Sequence, residues 1–252
     1  MKDRNNTGLV YWSVNAVLVV SGLCISLFLA WHLLSASNFF YPLLHDVTGI
    51  QETIEEYAPK NIYRKSFDET TRAQRVELFR RIVYGINHDG DGLDSIQYSD
   101  ATGKPLGALL RPPEITHLKD VAHLLNVFQA LAYGALAVFI AMVALLLVRR
   151  LSIPKPRYLL VATVLTVLTA TLIISLSGAK DIFYRMHTII FPQGHQWFFF
   201  YEESLMTMLM KAPDIFAWIA AMLLVLTLVI FYLVLRLTGA LLKIRNHGFT
   251  VI

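Results

Sequence analysis

The sequence is poor in the residues on which most familiar chemistries depend. It holds a single cysteine, Cys24, so no internal disulfide can form and any part outside a membrane must hold together by packing. Cys24 sits within an apolar stretch expected to bury it, where a thiol makes a poor nucleophile. No Gly-x-Ser-x-Gly elbow, His-Glu-x-x-His pair or glycine-rich phosphate loop occurs, which removes the usual signatures of serine hydrolases, zincins and nucleotide-binding enzymes. Charge is scarce too. With 16% charged and 56% hydrophobic residues, the chain is too apolar for an ordinary soluble domain and reads as a multi-span membrane protein.

Hydropathy places four spans over Val10 to Leu34, Leu124 to Val148, Tyr158 to Leu176 and Ile215 to Leu235, each near the ~20 residues that a ~30 Å hydrocarbon core demands. Lys2 and Arg4 before the first span, with Ser35-Ala36-Ser37 after it, also suit a secretory signal. The apolar stretch is longer than the roughly 7–15 residues of such a signal, so a retained span is the better reading. Lys2 and Arg4, then Arg149, Arg150, Lys155 and Arg157, then Arg236, Lys243 and Arg245 all flank spans on one side. Both termini are therefore expected in the cytoplasm. The expected fold is mainly α: a four-transmembrane-helix bundle with a small mixed α/β outward-facing domain between helices 1 and 2. Its segments are a first helix over 10–34, an extracytoplasmic domain over 35–118 and a second helix over 119–150. A third helix over 158–179, an extracytoplasmic active-site loop over 180–212, a fourth helix over 213–242 and a cytoplasmic tail over 243–252 follow.

In the first outer segment, Val76, Phe79, Ile82 and Val83 recur at helical spacing, which predicts an amphipathic helix within 66–84 capped by Asp68 or Thr70. Asn87, Asp89, Asp91 and Gly92 match the first half of a calcium loop, but Tyr98 stands where a bidentate glutamate is needed, so a glycine-rich turn is the better reading. Ile96 to Ser99 and Gly107 to Leu110 are predicted as short strands about a turn at Asp100 to Gly103.

The chemistry concentrates at Arg111-Pro112-Pro113-Glu114-Ile115-Thr116-His117-Leu118-Lys119-Asp120. Pro112 and Pro113 fit an N-cap and a first helical position, and Glu114 complements the helix dipole. Glu114 and His117 share a face, with Asp120 just beside it, so one imidazole has two carboxylates in reach. The second outer segment carries His187 and His195 in an aromatic-rich run from Lys180 to Tyr201, a composition suited to the headgroup layer. Of eight histidines only His247 falls on the cytoplasmic side of this topology. Ligands for a metal would come from separate segments without recognisable spacing, so no metal or cofactor is expected. The spans hold too few charges to line a carrier's path. What remains is two imidazoles at a lipid interface without a protein nucleophile, which suits acid-base catalysis of a reaction whose nucleophile belongs to the substrate.

Glu114-Ile115-x-His117-Leu118-x-Asp120-Val121, followed by Met186-His187-x-x-x-Phe191-x-x-Gly194-x-x-Trp197 and by Pro213 before the last span, resembles the lipoprotein intramolecular transacylase family. The likeness extends over the four-span layout with a large first outer loop. It implies a bacterial cytoplasmic-membrane enzyme whose partners are membrane lipid and the diacylglyceryl-modified N-terminus of a lipoprotein, with no nucleic acid. The sn-2 acyl chain would move to that lipoprotein's own cysteine amine, giving the lyso form, at an active site on the outer leaflet. On this resemblance His187 is expected as base and His117 as its partner, oriented by Asp120 or Glu114, with Gly194 and Trp197 shaping the loop that receives lipid. The alternative of another class is a non-enzymatic membrane sensor or assembly factor that binds a partner through its outer domain.

Overall fold

A computed structural model describes residues 2–247, so the tail expected over 243–252 lies outside the described residues from 248 onward. In chain order the elements are α1 (Lys2–Ala36), α2 (Tyr41–Val47), α3 (Ile50–Tyr57) and α4 (Arg72–Asn87), then β1 (Gln97–Ser99) and β2 (Pro105–Ala108). They continue as α5 (Pro112–Val148), α6 (Pro156–Leu176), α7 (Ala179–Ile190), α8 (Leu205–Met210) and α9 (Asp214–His247). Four helices are long and apolar enough to cross a membrane, namely Val10–Ala36 of α1, α5, α6 and Asp214–Arg245 of α9. The predicted spans fall within them. At 37 residues α5 exceeds what a bilayer needs; its charge-free part, Leu124 to Val148, is long enough to cross by itself.

The chain divides into two compact units. The first comprises residues 1–32, 128–179 and 222–252. Its core is Val14, Leu18, Leu146, Phe231, Leu235 and Leu242. In lipid no hydrophobic drive joins helices that are equally apolar outside, so close van der Waals packing must do so. Gly22 permits that approach, because a Cβ there would lie 3.3 Å from the Phe139 ring and 3.5 Å from that of Phe231. No residue of α6 is buried, and its Leu165, Leu168 and Leu172 are exposed, as side chains facing acyl chains must be. Cys24 is likewise exposed. The expectation that it is buried is therefore corrected: neighbours that are apolar along a span need not enclose one another, since lipid satisfies them as well as a core does.

The second unit comprises residues 33–127 and 180–221. Here water-driven burial applies. Tyr41, stacked on Phe79 at 4.1 Å, donates its hydroxyl to the Leu209 carbonyl at 2.6 Å and so ties α2 to α8. Every residue of α8 is buried, and the Ser204 hydroxyl caps it by accepting from the Thr207 amide. The predicted amphipathic helix is α4, but neither Asp68 nor Thr70 caps it. Thr71 does, in a reciprocal capping box with Gln74; only a residue whose partner three positions on can return the hydrogen bond completes that motif. Thr70 instead accepts from Arg75 Nε at 2.8 Å. Arg75 is 1% exposed and also donates to Gln51 and to the Asp68 carbonyl. The strands pair antiparallel, Gln97 with Ala108 and Tyr98 with Gly107, around a bulge. The second strand spans Pro105–Ala108 rather than 107–110, because Leu109 and Leu110 are drawn into the core. In the glycine-rich turn Asp89 accepts from Asn126 Nδ2 on α5 at 2.8 Å.

Arg75→Ala is expected to lower stability by about 2–5 kcal/mol, through a cavity and through the acceptors it strands. Thermal unfolding of the purified protein in detergent reads this as a drop in Tm, and an unchanged Tm would show that Arg75 is dispensable to the core.

Candidate active site

Helix α5 begins at Pro112, so Arg111, rather than Pro112, is the residue that caps it, and Pro112 and Pro113 fill the first two helical positions, where a missing N–H costs nothing. Glu114 at the third position turns back to accept the Arg111 backbone N–H at 2.5 Å. It is fully buried. Burial pushes its carboxyl above the usual carboxylate range, while the Arg111 amide, the Ser204 hydroxyl and the Arg111 guanidinium pull it back. Arg111 Nε lies 3.6 Å from Glu114 and Nη2 lies 3.9 Å from Glu203. Its guanidinium covers the Tyr63 ring at 4.5 Å and faces that of Phe199 at 5.7 Å. Glu114 is therefore engaged in the helix cap and does not hydrogen-bond His117.

One turn later, the His117 ring lies 4.9 Å from that of Phe191 and 6.2 Å from that of Phe199. Its Nδ1 is buried and unpartnered. Burial, aided by repulsion from a charged His187 and opposed by Asp120, pushes the imidazole down to about 4. At neutral pH His117 is an uncharged ring. His187 arrives from α7, and its ring lies 5.4 Å from the same Phe191 and 4.7 Å from Trp197. Two imidazoles separated by 70 positions in sequence thus flank one phenyl ring. His187 Nδ1 lies 2.8 Å from the Phe183 carbonyl. A carbonyl can only accept, so in the neutral ring Nδ1 carries the hydrogen and Nε2 keeps its lone pair. The same pose recurs at His32 and His88 and so reflects helical geometry; what sets His187 apart is its company.

Gly194 has φ +86°, a conformation that a side chain disfavours, in a turn closed by the His195 amide on the Pro192 carbonyl at 3.2 Å. That turn brings His195 Nδ1 to Asp120 Oδ2 at 2.7 Å. Asp120 thus binds His195, not His117, as its hydrogen-bond partner. Trp197 packs on His187 and lies 5.4 Å from Tyr184. Among the described residues, no three histidine, cysteine or carboxylate side chains gather closely enough to hold a metal ion. Of the residues singled out from sequence, His117, His187 and Trp197 share one aromatic enclosure. Asp120 and Gly194 serve the segment that carries Trp197, and Glu114 serves the helix start. The roles of Arg111, Ser204, Phe183, Phe199 and His195 were not foreseen; the density of aromatic residues in the second outer segment was the sequence signal for Phe183 and Phe199 alone.

A family model described as lipoprotein intramolecular transacylase Lit matches residues 16–216. No curated protein matches the sequence. The fold is similar to the in meso structure of the membrane-integral lipoprotein intramolecular transacylase Lit from Bacillus cereus bearing a histidine-to-arginine substitution. That likeness has a TM-score of 0.69 and 15% identity, over 98% of this chain and 98% of that one. A histidine-to-alanine variant of the same protein gives 0.68 and 15%, over 97% and 99%. A third structure from that organism gives 0.62 and 14%, over 96% and 99%.

Because His117 is held neutral in the folded chain and its pKa lies below the ordinary value near 6.5, the unfolded chain binds the extra proton as pH falls from about 6.5 to about 4. Stability should drop across that window, and less steeply in His117→Leu. Tm measured from pH 7 to pH 4 reads both slopes; parallel slopes would remove His117 from the acid response.

Proposed function

The chain belongs to the lipoprotein intramolecular transacylase family, a transferase family of bacterial membrane proteins, and from that premise we propose that it moves the sn-2 acyl chain of a diacylglyceryl lipoprotein onto the amine of that lipoprotein's own N-terminal cysteine. The observation that carries this reading is the placement of both imidazoles against Phe191. Nucleophile and ester belong to one substrate molecule, so the protein has only to hold them in a near-attack geometry and move protons, where proximity has its largest effect.

In this reading Nε2 of His187, left with its lone pair by the bond from Nδ1 to the Phe183 carbonyl, accepts the proton of the attacking amine. The carbon–nitrogen bond forms and the carbonyl oxygen takes up negative charge. His117, uncharged in its buried setting, offers an imidazole N–H to that oxyanion, where a neutral donor needs no charge of its own. The tetrahedral centre then expels the glycerol oxygen, which regains the proton from His187. One C–O bond is broken, one C–N bond is made, and no net proton is consumed. The aromatic rings of Phe183, Phe191, Trp197 and Phe199 beside the imidazoles give the reacting groups an apolar wall, which favours transfer of the acyl group to the amine over its hydrolysis.

The topology belongs to the same proposal. Basic residues flanking the spans put both termini in the cytoplasm, so the segments over 35–118 and 180–212 meet the outer leaflet of the bacterial cytoplasmic membrane. Diacylglyceryl lipoproteins would then reach the site laterally from the bilayer.

His117→Ala and His187→Ala are each expected to abolish conversion to the lyso form while membrane insertion and yield stay unchanged. Mass spectrometry of lipoprotein N-terminal peptides, from cells making either variant, reads the outcome. Full conversion by either one would take that histidine out of the mechanism.

A further inference from the structure

The residues from Pro192 to Phe200 form no helix or strand, yet they carry Trp197 and Phe199, two of the rings that meet the imidazoles. Such a segment must be held by side chains. The hydrogen bond from His195 Nδ1 to Asp120 Oδ2, at 2.7 Å, ties this stretch to a distant element; its other hydrogen bonds among the described residues are local, from the His195 N–H to the Pro192 carbonyl, from Gln196 to the Phe198 carbonyl, and from the Glu203 and Ser204 amides to the Phe200 carbonyl. Asp120 lies one turn beyond His117 on α5, so the bond fastens the segment to the same helix that presents one of the two imidazoles. The side chains are 39% and 18% exposed: close enough to water to open, and enclosed enough for the bond to matter. Gly194 makes the bond possible, since its φ of +86° turns the chain back onto α5, and Cβ at that position would meet nothing within 4 Å. The glycine is thus called for by backbone conformation alone, not by crowding.

We propose that Asp120 and His195 are positioning residues for the transfer: their bond latches the Pro192–Phe200 segment onto α5 and so holds Trp197 and Phe199 against the imidazoles, keeping the lipid ester and amine in reacting distance. This deepens the reading given under Proposed function and rests on it. The pair does not touch the reacting atoms. It acts through the aromatic rings that confine them, and a displacement of about 1 Å in such a confining wall is enough to cost about a hundredfold in rate.

The test has two arms that do not depend on each other. In the first, Trp12, Trp31 and Trp218 are replaced by phenylalanine so that Trp197 alone reports, and its quenching by brominated lipid and by acrylamide is compared in wild-type, His195→Ala and Asp120→Ala backgrounds. The latch predicts that both alanine variants change Trp197 quenching and that His195→Asn, whose amide N–H can replace Nδ1–H toward Asp120, leaves it close to wild type. In the second, kcat and KM are measured for conversion of a diacylglyceryl lipopeptide. The latch predicts a fall in kcat of up to about a hundredfold for either alanine variant, with KM changed far less, no further fall in the double variant, and recovery in His195→Asn. Unaltered Trp197 quenching in the alanine variants overturns the latch itself. Altered quenching with wild-type kcat overturns its role in positioning, as does a His195→Asn variant that keeps quenching normal but stays as slow as His195→Ala. Failure of the two-histidine reading would show elsewhere, as retained activity in His117→Ala or His187→Ala, and leaves the quenching arm intact.

Discussion

Hydrocarbon offers a peptide group no hydrogen-bond partner, and that one constraint divides the chain. Backbone that crosses must be helical and satisfy itself, so the apolar stretches of α1, α5, α6 and α9 are uninterrupted helices. Several of their polar side chains are answered within the helix: Ser21 and Ser26 donate to the carbonyls of Val17 and Gly22 at 2.7 Å each. Irregular backbone is left to the stretches between these helices, such as the left-handed turn at Gly194, and the two imidazoles lie beside it.

Within that region charge is handled by pairing and by neutrality. Glu114 and Arg111 neutralise each other at the start of α5 under the rings of Tyr63 and Phe199, and Asp120 meets His195. His117 is left without a hydrogen-bonding partner at Nδ1, and burial keeps it neutral. A desolvated, uncharged imidazole is costly to keep and of little structural use, which is the physical reason to give it a role toward substrate. His187 differs in having one nitrogen committed to the Phe183 carbonyl, so only the other can work.

The spans were legible because hydropathy is a property of composition, and twenty consecutive apolar residues need no tertiary context to be read. Helix α4 was legible from its period, though its cap was expected at Asp68 or Thr70, three residues or one before Thr71, since several neighbouring polar residues can begin a helix and only Gln74 decides among them. Helix α8 was not legible: six residues are too few to show a period, and its burial depends on Tyr41, far off in the chain. His117 and His187 were identifiable as a pair through the family resemblance and their chemistry. The partner of Asp120 was not, because two carboxylates near a histidine on one helix suggest a local bond, while the structure supplies a histidine 75 positions away. Periodicity reports which residues share a face; it does not report what that face meets.

The central claim is that His117 and His187 act on one ester and one amine. An experimental structure with a non-reacting diacylglyceryl-cysteine peptide analogue bound tests it most directly. The account predicts the α-amine within hydrogen-bond reach of His187 Nε2, about 3 Å, and the ester carbonyl oxygen turned toward His117, with Phe191 alongside. An analogue seated with either imidazole beyond the reach of both groups would contradict it.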